Sequence, residues 1–228
     1  IVSAIEEGRI IFQNIRKSIT YFTTDCFSEI VLITTCILWG SPLAILPTQI
    51  LWINIVNDGF PSFSLAFERS DRNLMKQPPL KRSEPLLNRQ TKSMVIGLGI
   101  VRDLALAMVF IYGYYHLESW GWSLEYWRTM FFALLGLKSI VGIFSVRNLN
   151  LPIWRVNHLH NRYLLLAFFL SLNLLLLAVY LPGLQHLLGT VALSFNSWLV
   201  IIAGALINLL LMETVKLISR PKNYETPS

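Results

Sequence analysis

Polar and apolar positions alternate along this chain on the scale of a membrane rather than of one helix face. Six apolar segments are each long enough to cross a bilayer, which takes about 20 residues. They lie near Ile19–Trp39, Leu46–Phe67, Ser93–Tyr115, Trp127–Val146, Tyr163–Leu181 and Phe195–Ile218. The pattern predicts an all-α fold, a polytopic membrane bundle of six transmembrane helices. Tyr21, Trp39, Tyr114, Tyr115, Trp127, Tyr163 and Tyr180 sit near segment ends, where amphipathic rings favour the membrane–water boundary.

Lys and Arg alternate from link to link. Arg9, Arg16 and Lys17 precede the first segment, and the link around Gly40–Ile45 has none. Arg69, Arg72, Lys76, Lys81, Arg82, Arg89 and Lys92 fill the next link, and the one around Glu118–Glu125 has none. Arg147, Arg155 and Arg162 follow, then none around Pro182–Ser194, then Lys216, Arg220 and Lys222. Cytoplasmic loops carry the Lys/Arg excess, so both termini are expected in the cytoplasm. The domain reading follows: a cytoplasmic stalk helix over 1–18, a membrane domain over 19–218 with a cytoplasmic loop at 68–92, and a tail at 219–228.

Composition agrees with the pattern. The chain is 54% hydrophobic and only 14% charged, whereas soluble domains run near a quarter charged. The net charge of +6 is spread over separate loops rather than gathered in one basic patch, which argues against a nucleic-acid partner. Ile1–Lys17 lacks the short apolar core of a cleavable signal, and the chain has no initiating Met, so it reads as part of something longer. Cys26 and Cys36 lie about 15 Å apart along one predicted helix, too far to pair. Ser3 and Glu6 have capping-box spacing, and a helix is expected to run unbroken from there into the first segment. Pro78, Pro79 and Pro85 stiffen the basic link. His158 and His160, two apart, are weak evidence for a metal.

The candidate chemistry lies inside the spans. Gln49–Ser62 carries Asn54, Asn57 and Asp58, then Gly59 and Pro61. Charged and amide groups inside an apolar span are costly and point to function. Asn54 and Asp58 share a helix face. Pro61 removes a backbone donor and weakens the helix. Freed carbonyls beside a carboxylate and two amide oxygens suit a hard cation; a polar kink that only packs helices is the alternative. Glu29, with Asp25 and Cys26 one turn earlier on a common face, needs a partner, a proton or a cation. If the first two spans pack together, Glu29, Asn54, Asn57 and Asp58 converge as most of one cation site. Lys138 could act as a tethered cation on Glu29 or Asp58, pair with Asp103, or snorkel. Arg102 and Asp103, being adjacent, are expected to bond to different neighbours. Glu213 and Lys216 are expected to pair locally, and Asn173 and Asn208 to join helices.

Several motifs carry a family resemblance. Glu6-Glu7-Gly8-Arg9 followed by Ile11-Phe12-Gln13-Asn14-Ile15-Arg16-Lys17-Ser18-Ile19 resembles the fifth membrane helix of type II P-type ATPases, the calcium pumps and the sodium/potassium pump. Leu46-Pro47-Thr48-Gln49-Ile50-Leu51-Trp52-Ile53-Asn54 through Asn57-Asp58-Gly59-Phe60-Pro61 resembles their sixth, with Leu65-Ala66-Phe67-Glu68 and Met75-Lys76-Gln77-Pro78-Pro79 similar to the following loop. The resemblance implies the last six of ten helices, the membrane region of an ATP-driven cation pump. It implies cation-ligand roles for Glu29, Asn54, Asn57 and Asp58, with Ca2+ the first choice of ion. Asn57 stands where calcium pumps usually have Thr, and Cys26 where they have an Asn ligand. Leu137 or Lys138 stands where they supply a Glu. Cys is a poor ligand for a hard cation, so one of two sites is in doubt, and Lys138 is expected to fill it as a built-in charge. An Asp-Lys-Thr-Gly-Thr motif is not found here. ATP and Mg2+ are therefore expected only through domains outside this chain, and the N-terminal helices and ATPase domains are the implied partners besides the lipid bilayer. A free-standing membrane subunit or passive cation conduit is the competing reading.

Overall fold

The structure is a computed structural model and describes residues 2–68, 92, 99–148, 151–156 and 161–218. The expected loop at 68–92, apart from its ends, the tail and His158 and His160 lie outside the described residues.

All regular structure among the described residues is helical. Helix α1 (Val2–Trp39) runs without a break, as the sequence predicts, and closes at Gly40, whose φ of 72° is the left-handed turn that glycine permits. Ser3 lies inside α1 rather than capping it. The expected second span is not one helix. It is α2 (Pro47–Trp52), a π-helical turn (Ile53–Asp58) and α3 (Gly59–Leu65). Then come α4 (Gly99–Trp120), α5 (Leu124–Val146), α6 (Arg162–Tyr180), α7 (Pro182–Leu188) and α8 (Phe195–Ile218).

Five of these helices are long and apolar enough to cross a membrane: α1, α4, α5, α6 and α8. The chain is an integral membrane protein. Most termini follow local chemistry. Ser123 accepts from the Tyr126 amide at 3.1 Å and starts α5 three residues before the apolar run suggests. Asn161 caps α6 in the same way through Leu164. Helix α4 continues past Tyr115 to Trp120, so Tyr114 and Tyr115 lie within it and the polar link after it shrinks to a short turn at Gly121. The link after α6 is not plain loop: Pro182 opens α7, and Gly189, at φ 63°, closes it.

Helix α5 is the axis of the bundle. Its most apolar stretch is 78% buried, against 22–39% for the other four. It packs against α8, α6 and the π turn, while α1 packs against α4 and α3 against α6. The polarity is inside-out for a soluble protein. Leu38, Phe63, Phe195 and Ile218 are exposed, while Asp25, Asp58, Arg102, Asp103, Lys138, Glu213 and Lys216 are buried. Such a surface suits lipid, where each interior polar group has to find its partner within the protein.

Candidate cation site

The site grows from the break in the second segment. Pro61 has no N–H to give the Asn57 carbonyl four residues earlier. That carbonyl instead accepts from the Tyr21 hydroxyl at 3.4 Å. The irregularity therefore spans Asn54, Asn57 and Asp58 themselves, at Ile53–Asp58, and not the stretch just beyond them at Gly59 and Pro61 as the sequence suggests. Pro61 sits in the first turn of α3, where it is tolerated. A π turn inside an α-helix frequently marks a functional position.

Glu29 and Asn54 meet. The Asn54 amide donates to both Glu29 carboxylate oxygens, at 3.3 and 3.0 Å, and to the Ile50 carbonyl at 3.1 Å. Asp58 faces elsewhere. Its Oδ1 accepts from Ser139 and, at 3.3 Å, from Tyr21. Ser139 also donates to Asp25 Oδ2 at 3.0 Å, and its hydroxyl lies 2.6 Å from that of Tyr21. Among the described residues no hydrogen bond joins the Glu29–Asn54 pair to the Asp58 group, so the four expected ligands form two neighbouring sets rather than one cluster. Asn57 is fully buried, and neither its Oδ1 nor its Nδ2 has a partner among the described residues. Asp58 Oδ2 is buried and unpartnered in the same way. Buried polar atoms are normally bonded, and here three in two consecutive residues have no partner among the described residues.

Lys138 is not on Glu29, Asp58 or Asp103. Its Nζ lies 3.4 Å from Asp25 Oδ1 and donates to Ser28 at 2.9 Å. Arg102 also donates to Ser28, at 2.6 Å, and holds Asp103 through Nε at 2.8 Å and Nη2 at 3.1 Å. Arg102 does reach a neighbouring helix, as expected, but the expectation that the two are no clean pair is overturned: the guanidinium is long enough to fold back, and burial leaves the two charges no solvent alternative. Among the described residues Asn173 bonds within its own helix, to Phe169 at 2.7 Å, and not across to another. Glu213 and Lys216 pair at 2.7 Å as expected. Cys26 and Cys36 are free thiols, and Cys26 is exposed.

Sequence reasoning missed Tyr21 and Ser139 and underused Asp25. Tyr21 looks like a boundary aromatic, yet it is only 2% exposed and bonded into the site. Its signal was its place one turn before Asp25 on the same helix face. Ser139 had none beyond standing next to Lys138. Among the described residues no three His, Cys, Asp or Glu side chains are close enough to hold a metal together. The donor set is one of carboxylate and amide oxygens, which fits a hard cation rather than a soft one.

Comparison with known proteins decides the family. Residues 42–218 match the family model described as the C-terminus of the cation-transporting ATPases. The chain belongs to this family. Its relatives are calcium-transporting ATPases: one from Bacillus subtilis is 33% identical over 89% of the chain, and an endoplasmic-reticulum-type one from Arabidopsis thaliana is 27% identical over 96%. The chain spans 22% and 26% of their lengths. It is thus the C-terminal membrane region of a type II P-type ATPase.

Proposed function

We propose that this region carries Ca2+ in an ATP-driven pump, with Glu29, Asn54, Asn57 and Asp58 as its ligands. The carrying observation is the set of buried, unpartnered atoms on Asn57 and Asp58 at the π turn. The names of the relatives support Ca2+ as the ion. Six spans complete the bundle, the second being the broken α2–π–α3 segment, and both termini face the cytoplasm by the Lys/Arg alternation. The proposed domains are the stalk at 1–18, the membrane domain at 19–218 and the tail at 219–228. ATP and Mg2+ act in domains outside this chain, whose phosphorylation moves α1 and reshapes the site. The chain by itself leaves the ligand shell incomplete, and earlier helices supply the rest.

The site takes one cation per cycle in this reading. The Lys138–Asp25 pair supports it, since a buried ammonium with its own carboxylate occupies the interior beside Asp58. Cys26 is an exposed free thiol and adds no ligand of the right hardness. The test is Asp58→Asn in the full-length protein in vesicles. It should abolish Ca2+-stimulated ATP hydrolysis and Ca2+ uptake; uptake at the unmodified rate would sink the reading.

A further inference from the structure

The segment that carries Asn54, Asn57 and Asp58 is tied at both ends, and the π turn lies between the ties. At its start Gln49 is fully buried; its Nε2 donates to the Leu188 carbonyl at 3.0 Å and its Oε1 accepts from the Leu46 amide at 3.0 Å. At its far end Glu68 is held by three residues, its carboxylate by Arg147 and Asn161 and its main-chain carbonyl by Asn14. Arg147, at the end of α5, donates to Glu68 Oε1 from Nε and Nη2, both at 2.8 Å. Asn161, the cap of α6, donates to Glu68 Oε2 at 2.8 Å and to the Ser64 carbonyl at 3.2 Å. Asn14 of α1 donates to the carbonyls of Ala66 and Glu68, at 3.3 and 2.9 Å. Those carbonyls lie past the end of α3, where no helical donor remains.

Between these anchors, among the described residues, the long-range bonds to the π turn's backbone carbonyls are those from Ser171 to Val56 O at 3.0 Å and from Tyr21 to Asn57 O at 3.4 Å. A π turn can also revert to α geometry by moving one residue through the hydrogen-bond ladder. Displacement of α1 relative to α5 and α6 therefore reaches the segment at Glu68 as well as through the Tyr21 and Glu29 bonds to the π turn.

We propose that Glu68 is a positioning residue for cation transport: by tying α1, α5 and α6 to the end of α3, it converts movement of α1 into a change of shape at the π turn. It touches no cation. The proposal rests on the pump reading above, because it requires that α1 be driven.

The test uses the full-length protein in sealed vesicles and reads Ca2+ transported per ATP hydrolysed. Glu68→Gln keeps the side chain's size but turns an amide towards Arg147 or Asn161, both of which are donors. The expected result is a fall of about threefold or more in this ratio, within the range reached by substitutions that alter coupling between sites, with Ca2+ affinity changed less than that. Asn14→Ala cuts the α1 tie alone and should lower the ratio in the same direction. Glu213→Gln is the control: it disrupts a comparably buried ion pair within α8 whose carboxylate also accepts from Ser145 of α5, and should lower thermal stability without moving the ratio. A normal ratio in Asn14→Ala overturns the proposal, even if Glu68→Gln fails to fold. So does an equal fall in the Glu213 control. If the unmodified protein shows no Ca2+-driven ATP hydrolysis, the pump reading itself fails; if it pumps and the variants keep its ratio, only the Glu68 proposal does.

Discussion

Lys138 is tethered to Asp25, its ammonium 3.4 Å from that carboxylate and only 4% of its side chain exposed. The pair stands one turn from Glu29 and shares Ser139 with Asp58. It places a fixed positive charge beside the oxygens assigned to the cation.

Replacing Lys138 by Glu should alter the number of ions carried. The new carboxylate would face Asp25 with no internal cation between them, and a second Ca2+ is the group that satisfies both. The Ca2+ bound per phosphorylated enzyme should rise, or apparent affinity should increase. Equal stoichiometry and equal affinity would argue against the one-cation reading.

Lys138→Met should destabilise the bundle by about 3–5 kcal/mol, the cost of leaving one member of a buried ion pair alone. Asp25→Leu in the same protein should recover most of that loss. Thermal unfolding of the two single variants and the double variant in detergent gives the coupling directly. Additive losses would mean that the two residues do not depend on one another.

Asn54→Ala removes the amide that donates to both Glu29 oxygens. A hydrogen bond to a charged group is worth about 1.5–3 kcal/mol, so Ca2+ affinity should fall about tenfold to a hundredfold. The Ca2+ dependence of ATP hydrolysis measures it.

Gly136→Ala tests Asn57 without altering a ligand. A methyl group there would run into the Asn57 amide nitrogen and come within 2.9 Å of Leu175 Cδ1. Overpacking of this kind costs about 1–3 kcal/mol, and it would push Asn57 off its position. Ca2+ affinity should drop; unchanged affinity would show that Asn57 does not bind the ion.

Much of the fold was legible in the sequence because membrane burial writes long apolar runs. The last span, Phe195–Ile218, was placed to the residue, and α1 was continuous as expected. The errors have local causes. Helix ends at Leu124 and Arg162 were set by side-chain caps, Ser123 and Asn161, that sit outside the apolar runs. Helix α4 overran its expected end because a short polar stretch, His116–Ser119, can remain helical near a membrane boundary.

The sequence by itself determined the residues with unusual chemistry: a carboxylate and two amides in a Pro-broken apolar segment, and Glu29 and Lys138 in others. Charge in an apolar span is costly, so its presence alone carries information. Only the tertiary structure decided who faces whom. That Lys138 takes Asp25 rather than Glu29, Asp58 or Asp103, that Tyr21 turns inward, that Ser139 bridges Asp25 and Asp58, and that Glu68 gathers three helices all depend on helix rotation and packing. Those are set by the sum of many small contacts between segments distant in sequence, which no local pattern records.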